Sequence, residues 1–216
     1  MTRGGGLVYA HPVPRKYAIL LALTLGVIVL DQWTKYLVVR DLTTRFDGAT
    51  TLSQRLGAFY SPAEAPGYRG LHFQPRTHVE VAENFFRLRY AENPGAAWGM
   101  FRDLPPNVRG PLFHLVSLGA VLLIVFYFRK LSGTDPAEVW ALWGLPLVLG
   151  GALGNYIDRV ARAFVIDFLE AHWYDKAAWP SFNVADMAIC IGVGMLVVDA
   201  FVRKEKPEPS APVKAS

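Results

Sequence analysis

The sequence predicts an all-α polytopic membrane protein, with four transmembrane helices and a small extracytoplasmic β-rich cap. Of its 216 residues, 52% are hydrophobic and 19% are charged, and the mean hydropathy is +0.24. A soluble domain of this length is normally more polar. Four apolar segments are long enough to cross ~30 Å of hydrocarbon, and they cover residues 17–39, 112–128, 139–157 and 184–202.

The first apolar segment follows Arg15 and Lys16, as the core of a signal peptide would. No small-x-small cleavage site follows Leu30, so we expect an uncleaved first span. The second span is closed by Arg129 and Lys130. Because the number of spans is even, both termini are predicted on the same side of the membrane.

Basic residues indicate which side that is. Most of those near span ends gather at the predicted terminal side, whereas a smaller set (Arg159, Arg162 and Lys176) lies in the opposite short loop. The positive-inside rule then predicts cytoplasmic termini. We expect a cytoplasmic segment at residues 1–15, a four-span membrane domain at 16–203 with an extracytoplasmic loop at 40–110, and a disordered cytoplasmic tail at 204–216.

The long loop has two parts of different character. Residues 45–75 are rich in Gly, Pro, Ser and Thr and show no sustained period, which is typical of an irregular insertion. Residues 78–90 alternate in part like a strand. We therefore expect a small sheet that rests on the outer surface of the membrane.

Four carboxylates stand within or beside the apolar segments, where an ionisable group is a candidate functional residue by default. They are Asp31, Asp158, Asp167 and Asp186. On the third span, Asn155 and Asp158 share a helix face, and on the fourth Asn183 and Asp186 do the same. The chain between these spans is short enough to bring Asp167 over the end of the fourth helix.

Other kinds of site lack support in the sequence. The histidines show no ligand spacing for a zinc protease, and Cys190 is the only cysteine. The glycines of residues 150–154 are not followed by Gly-Lys-Ser/Thr, so they predict helix packing and not a phosphate loop. The basic residues are scattered or flank apolar segments, which favours a membrane surface over nucleic acid as partner.

Five ordered motifs give the chain a resemblance to a known family. They are Asp31-Gln32-Trp33-Thr34-Lys35, Asn93-Pro94-Gly95-Ala96-Ala97-Trp98-Gly99, Gly150-Gly151-Ala152-Leu153-Gly154-Asn155-Tyr156-Ile157-Asp158-Arg159, Val165-Ile166-Asp167-Phe168 and Phe182-Asn183-Val184-Ala185-Asp186. Over residues 16–203 the chain resembles lipoprotein signal peptidase, also called signal peptidase II. The resemblance implies a membrane aspartic protease of the bacterial inner membrane that removes signal peptides from prolipoproteins.

The resemblance also implies what the enzyme meets and needs. Its substrate is a diacylglyceryl-modified prolipoprotein, cut before the lipidated cysteine at the extracytoplasmic face, and membrane lipids are its other partner. Neither a cofactor nor a metal is expected. This chain departs from the family pattern at Pro94 and Trp98, which puts the shape of the substrate groove in question.

Residue roles follow by the same resemblance. The catalytic pair maps onto Asp167 and Asp186, and residues that bind substrate or position the pair map onto Asn93, Gly95, Asn155, Arg159 and Asn183. A structural role is expected for Asp31 and Lys35, which are spaced as an intrahelical ion pair, and for Asp158, which would brace loops. Two nearby carboxylates cannot both ionise, so one would act as acid and the other as base.

One alternative function uses the same side chains. Intramembrane Asp and Asn residues also form proton relays in transporters, so a proton-coupled carrier is a second hypothesis. Such a protein is expected to place its ionisable groups near mid-bilayer and to show repeat symmetry. Here the groups fall at one end of each span and no repeat is visible.

Overall fold

The computed structural model describes residues 15–61, 71–95, 100–101, 103–174 and 176–204. Within these ranges the chain forms five α-helices and four β-strands. In chain order the elements are α1 (Arg15–Leu42), α2 (Leu52–Tyr60), β1 (His78–Ala82), β2 (Phe86–Asn93), α3 (Pro106–Lys130), α4 (Val139–Arg162), β3 (Val165–Trp173), β4 (Ala177–Ala178) and α5 (Val184–Lys204).

Four of these helices, α1, α3, α4 and α5, are long and apolar enough to cross a membrane. The prediction of four spans is thereby confirmed at the level of length and composition. At one end of the bundle, the Lys16 ammonium at the start of α1 bonds the Leu131 carbonyl after α3, at 2.5 Å. At the same end, the Asp199 carboxylate near the end of α5 accepts from the Ala141 amide at the start of α4, at 3.2 Å. The helix ends that lead to the two termini therefore lie together.

Glycines allow α4 to pack closely between its neighbours, as the small-residue pattern predicts. A Cβ added to Gly150 would come within 2.7 Å of Val27 on α1, and one added to Gly151 would overlap the backbone carbonyl of Ala185 on α5. Helix α4 is thus the central element of the bundle.

At the opposite end of the bundle lies an antiparallel sheet with the order β1-β2-β3-β4. The sheet and the end of α1 near Leu42 pack around a core that includes Val39, Phe59, Phe73, Phe164 and Ile166. Strand β3 begins only three residues after α4 ends. The sheet is therefore joined directly to the Arg162 end of α4.

One sequence expectation needs correction, and the structure adds detail to two others. Residues 45–75 are not wholly irregular, because Leu52–Tyr60 forms a helix that begins with a capping box between Thr51 and Gln54. The alternating stretch at 78–90 does contribute to a sheet, as predicted, and a turn with Asn84 at φ 66° divides it into β1 and β2. The fold is mostly helical with a small sheet, in line with the predicted fold class, and β3 adds to that sheet a long strand that the sequence did not suggest.

Some expectations concern residues outside the described ranges. They are the N-terminal segment before Arg15, the predicted disordered tail beyond Lys204, and residues 96–99, which include Trp98.

Candidate active site

Strand β3 holds Asp167 beside β2. Asp167 is 2% exposed and is paired with Ala91, just after a register shift in β2. Its two carboxyl oxygens accept hydrogen bonds from the side-chain amides of Asn93 (3.1 Å) and Asn183 (2.7 Å). Burial, reinforced by the negative charge of Asp186, raises the pKa of Asp167 to about 7.

Asp186 lies in the first turn of α5. One carboxyl oxygen accepts from the side-chain amide of Asn155 at 2.8 Å, and the other accepts from the backbone N–H of Asn183 at 3.2 Å. The side-chain oxygen of Asn183 in turn accepts from the backbone N–H of Asp186 at 3.0 Å. This is a reciprocal cap, and the positive end of the helix dipole favours a negative charge on the carboxyl group.

Asn183 joins the two carboxyl groups. Its side chain bonds Asp167 and its backbone bonds Asp186, and it is itself fully buried. Both aspartates line one cavity of about 890 Å³. The sheet and residues 179–182 form one part of its wall, and the three spans α3, α4 and α5 form another, with apolar side chains that include Val116, Ala120 and Ile189.

Behind this cavity lies a buried cluster of charges. The Lys35 ammonium lies 2.8 Å from Asp31 and 2.9 Å from Asp158, and it donates to the side-chain oxygen of Asn155 at 3.0 Å. Arg162 pairs with Asp158. Two cations therefore face two carboxylates, and this balance makes full burial of all four charged side chains tolerable.

The Lys35 contact fixes the orientation of the Asn155 amide. An ammonium can only donate, so it binds the oxygen of the amide and leaves the nitrogen directed at Asp186. Asp158 has a further role, because it also accepts from the backbone N–H of Ile166 at 3.1 Å. That bond holds β3 at the residue before Asp167.

Arg159 lies at the wall of the cavity and not in the buried cluster. Its guanidinium donates to the carbonyls of Gly95 (3.0 Å) and Asn155 (3.2 Å), and it stacks over the ring of Phe113 at 4.7 Å. The Gly95 N–H donates to the side-chain oxygen of Asn93 at 3.0 Å. The structure thus brings the predicted site residues to the cavity or to the charged cluster behind it, except Gly95 and Asn183, which bond residues that line the cavity.

Two carboxylates of the cavity wall are absent from the sequence expectations. Glu170 is 1% exposed and binds Arg87 and Arg89 of β2, while Ser181 donates to it at 3.2 Å. Burial opposes its ionisation, but the hydrogen bond from Arg87 and the charges of both arginines outweigh burial, so the pKa of Glu170 lies below its usual value. The i, i+2 spacing of the two arginines places both on one face of a strand, and this spacing was the signal in the sequence that could have indicated a carboxylate partner there.

The second is Glu92, whose side chain is 4% exposed. It accepts from the backbone N–H groups of His72 and Phe73, both at 2.8 Å, and from the Tyr90 hydroxyl at 2.8 Å. Its partners are 19 and more residues away except for Tyr90, so nothing local in the sequence marks this contact. Glu92 ties the end of the 45–75 insertion to the strand that holds Asn93.

No candidate metal centre is found in the part of the chain that the structure describes, where no three His, Cys, Asp or Glu side chains are grouped to hold an ion. Three of the histidines have other contacts there. His72 binds Glu92, His172 binds Glu80, and His114 packs against Tyr156.

Comparison with known proteins gives a consistent result. A sequence model of the signal peptidase (SPase) II family matches residues 23–202. The chain is 43% identical over 189 residues to a lipoprotein signal peptidase of Anaeromyxobacter sp. (strain Fw109-5), covering 85% of this chain and 84% of that protein. It is 37% identical over 183 residues to the lipoprotein signal peptidase of Syntrophotalea carbinolica, covering 85% and 91%.

Solved structures agree on the fold. One described as a bacterial membrane enzyme superposes with a TM-score of 0.60 at 23% identity, covering 90% of this chain and 94% of that one. A second with the same description gives a TM-score of 0.57 at 23% identity, covering 88% and 95%. At this level of identity the likeness concerns the fold alone.

Proposed function

Because this chain belongs to the signal peptidase II family, we propose that it is an aspartic endopeptidase for diacylglyceryl-modified prolipoproteins. It removes the signal peptide by cutting before the lipidated cysteine, with Asp167 and Asp186 as the catalytic pair. The observation that supports this pair most directly is that Asn183 binds both carboxyl groups at the wall of one cavity.

The environments of the two aspartates suggest different protonation states. We assign the negative charge to Asp186, because it caps the positive end of α5, a position that Asp167 does not have. Asp167 holds a proton in about half of the molecules at pH 7 and in more of them below that pH, because burial and the charge of Asp186 raise its pKa to about 7. A pair with separated affinities for the proton supplies one base and one acid.

In the proposed reaction, Asp186 takes a proton from a water whose oxygen bonds to the scissile carbonyl carbon. Asp167 donates its proton to the carbonyl oxygen, which gives a neutral tetrahedral diol. The C–N bond then breaks: Asp186 passes its proton to the departing amine, and Asp167 regains a proton from the diol. The products are the carboxyl end of the signal peptide and the free amine of the lipidated cysteine.

The cavity suits a substrate that is part peptide and part lipid. Its apolar wall comes from spans, so acyl chains can stay among the helices and the bilayer while the peptide reaches the carboxylates. Arg159 and Asn93 hold the Gly95 backbone beside the pair. We propose that this segment positions the substrate backbone.

The location proposed for the protein is the bacterial inner membrane. At the end of the bundle opposite the site, Lys16 donates to the carbonyls of Arg129 and Leu131, and Lys130 lies in the last turn of α3. The positive-inside rule makes that end cytoplasmic. Both termini then face the cytoplasm, the sheet and the catalytic pair face the extracytoplasmic side, and nucleic acid is not a partner.

The decisive experiment measures cleavage of a diacylglyceryl-modified substrate by purified protein. Asp167→Asn and Asp186→Asn each keep the size of the side chain but remove the acid or the base. We expect each to lower kcat by at least about a thousandfold, because the two groups act as a unit. The folded state is followed in parallel by thermal unfolding.

Asp47→Asn is the matched control, since Asp47 is a half-exposed carboxylate whose side chain pairs with Arg76, far from the cavity. It should cleave at the rate of the parent protein. Substantial activity in Asp167→Asn or Asp186→Asn would refute the assignment of the pair. The same substrate without its lipid tests the second part of the proposal, and we expect it to be cleaved poorly.

The carrier hypothesis gains no support from the structure or from the relatives. Asn155, Asp158 and Asp186 lie at the ends of α4 and α5 that are next to the sheet, and the relatives are named as peptidases. Proton flux driven by a small substrate in sealed vesicles would be needed to revive it.

A further inference from the structure

Helix α2, in the insertion of residues 45–75, has an apolar stripe that no other part of the described chain covers. Leu52, Leu56 and Tyr60 are 65%, 41% and 42% exposed. Spaced i, i+4 and i+8, they lie along one face. The adjacent face packs inward through Phe59, which is 1% exposed. Because Phe59 is packed inside the protein, the helix cannot rotate, and the stripe faces away from the protein.

Contacts with two spans fix the depth of this helix. The ring of Phe59 contacts that of Tyr36 on α1, with centroids 5.7 Å apart. The carbonyl of Phe59 accepts from the Arg162 guanidinium, on the last turn of α4, at 2.7 Å. Tyr36 precedes the end of α1 at Leu42 by six residues, or about 9 Å along the helix axis. Helix α2 therefore lies beside the last turns of the spans and not above them.

The surface next to this contact faces lipid. Trp33 lies three residues before Tyr36 and is 58% exposed on a transmembrane helix. The only charged residue of α2 is Arg55, and the helix has no acidic side chain. A helix at this depth with apolar, aromatic and basic side chains matches the composition of helices that lie in a membrane interface.

We propose that α2 is an interfacial helix, whose stripe of Leu52, Leu56 and Tyr60 inserts into the boundary between headgroups and acyl chains of the leaflet nearest the sheet. The occupant of the stripe is thus membrane lipid. The inserted helix would then attach the Phe59 backbone, whose carbonyl binds Arg162 of the buried charged cluster, to the membrane surface.

The test is a measurement of depth with a fluorophore. In a Cys190→Ser background, Leu56→Cys and Gly57→Cys are each labelled with NBD and reconstituted into phosphatidylcholine–phosphatidylglycerol vesicles. Gly57 is the matched control, because a side chain built there meets nothing within 4 Å and points about 100° further round the helix. Quenching is measured with brominated acyl chains and with aqueous iodide.

The expected result is about twofold or greater quenching by brominated lipid at position 56 relative to position 57, with the order reversed for iodide. Equal quenching at the two positions would overturn the proposal, because the helix would then lie in water. Protection of position 56 from both quenchers would also overturn it, because protein would then cover the stripe. If Leu56→Cys does not fold, Leu52→Cys replaces it on the same stripe. Neither measurement depends on peptidase activity.

Discussion

At the scale of single residues, Lys35 connects the buried charges, through Asn155, to the proposed catalytic pair. It neutralises Asp31 and shares Asp158 with Arg162, and it also orients Asn155. These are separate physical roles, since one concerns charge and the other concerns hydrogen-bond direction. They can be separated by experiment.

Lys35→Met should lose both roles. One of the two carboxylates would be left without a compensating charge, which costs about 3–5 kcal/mol when a buried pair is broken. Lys35→Met/Asp31→Asn restores the charge balance but not the bond to Asn155. We expect the double variant to recover most of the thermal stability and to remain at least about tenfold low in kcat. Recovery of both together would show that Lys35 has no role in positioning.

The pKa of Asp167 leads to a prediction about stability. Folding raises this pKa from 3.8 to about 7, so the native state holds a proton that the unfolded chain releases between these values. This group therefore makes the native state progressively less stable as the pH rises from about 4 through about 7. Asp167→Asn cannot ionise and should lack this loss.

Thermal unfolding in detergent between pH 4 and pH 8 measures the effect. The Tm of Asp167→Asn should approach that of the parent protein at the acid end and exceed it at the alkaline end. Parallel curves for the two proteins would contradict the raised pKa.

At the scale of elements, α4 determines how the site is assembled. One face meets α1 through Gly150, another meets α5 through Gly151, and its outer end leads directly into β3. From Gly151, Asn155 lies one turn and Asp158 two turns further along the same helix. A small change in the distance between α4 and α5 would therefore separate Asn155 from Asp186.

Gly151→Ala tests this dependence. The added methyl group would overlap the backbone carbonyl of Ala185, which cannot move without displacing α5. We expect a loss of about 1–3 kcal/mol in stability from overpacking and a larger relative loss in kcat. Gly119→Ala is the matched control, because a Cβ there meets nothing within 4 Å in the middle of α3. It should be neutral or stabilising by up to about 1 kcal/mol. Equal behaviour of the two variants would contradict close packing at Gly151.

At the scale of the whole molecule, the spans and the sheet enclose the cavity together. The spans supply its apolar wall and the sheet supplies Asp167, Asn93 and Glu170. Neither part could form the site alone, because the proposed catalytic pair is divided between β3 and α5. The function proposed here requires this junction to face the extracytoplasmic side.

Cysteine accessibility in intact cells tests the orientation. In a Cys190→Ser background, Asp47→Cys lies at the end of the bundle near the sheet, and Thr134→Cys lies between α3 and α4 at the other end. A membrane-impermeant maleimide that reaches the extracytoplasmic space should label position 47 at once, and position 134 only after the inner membrane is permeabilised. The reverse pattern would invert the proposed topology.

Much of the fold and of the candidate site could be predicted from the sequence, because the patterns that indicate them lie within short stretches of the chain. Apolar length fixes the four spans, small residues mark the seam at Gly150 and Gly151, and the i, i+4 spacing of Asp31 and Lys35 gives an ion pair within one helix. Family motifs named Asp167 and Asp186 as a pair. Each of these depends on residues within a few turns of one another or on a resemblance in order along the chain.

The tertiary structure alone decided the rest. Helix α2 has only nine residues and no long period, and β3 takes its strand form from pairing with β2, whose partner residues are 72 to 85 positions away in sequence. Three polar contacts likewise join distant segments: the hydrogen bond from Lys35 to Asn155, the hydrogen bonds that Glu92 accepts from the backbone, and the ion pair of Glu170 with Arg87. Periodicity reports which faces of an element avoid water, whereas the partner of a buried polar group is chosen by packing in three dimensions.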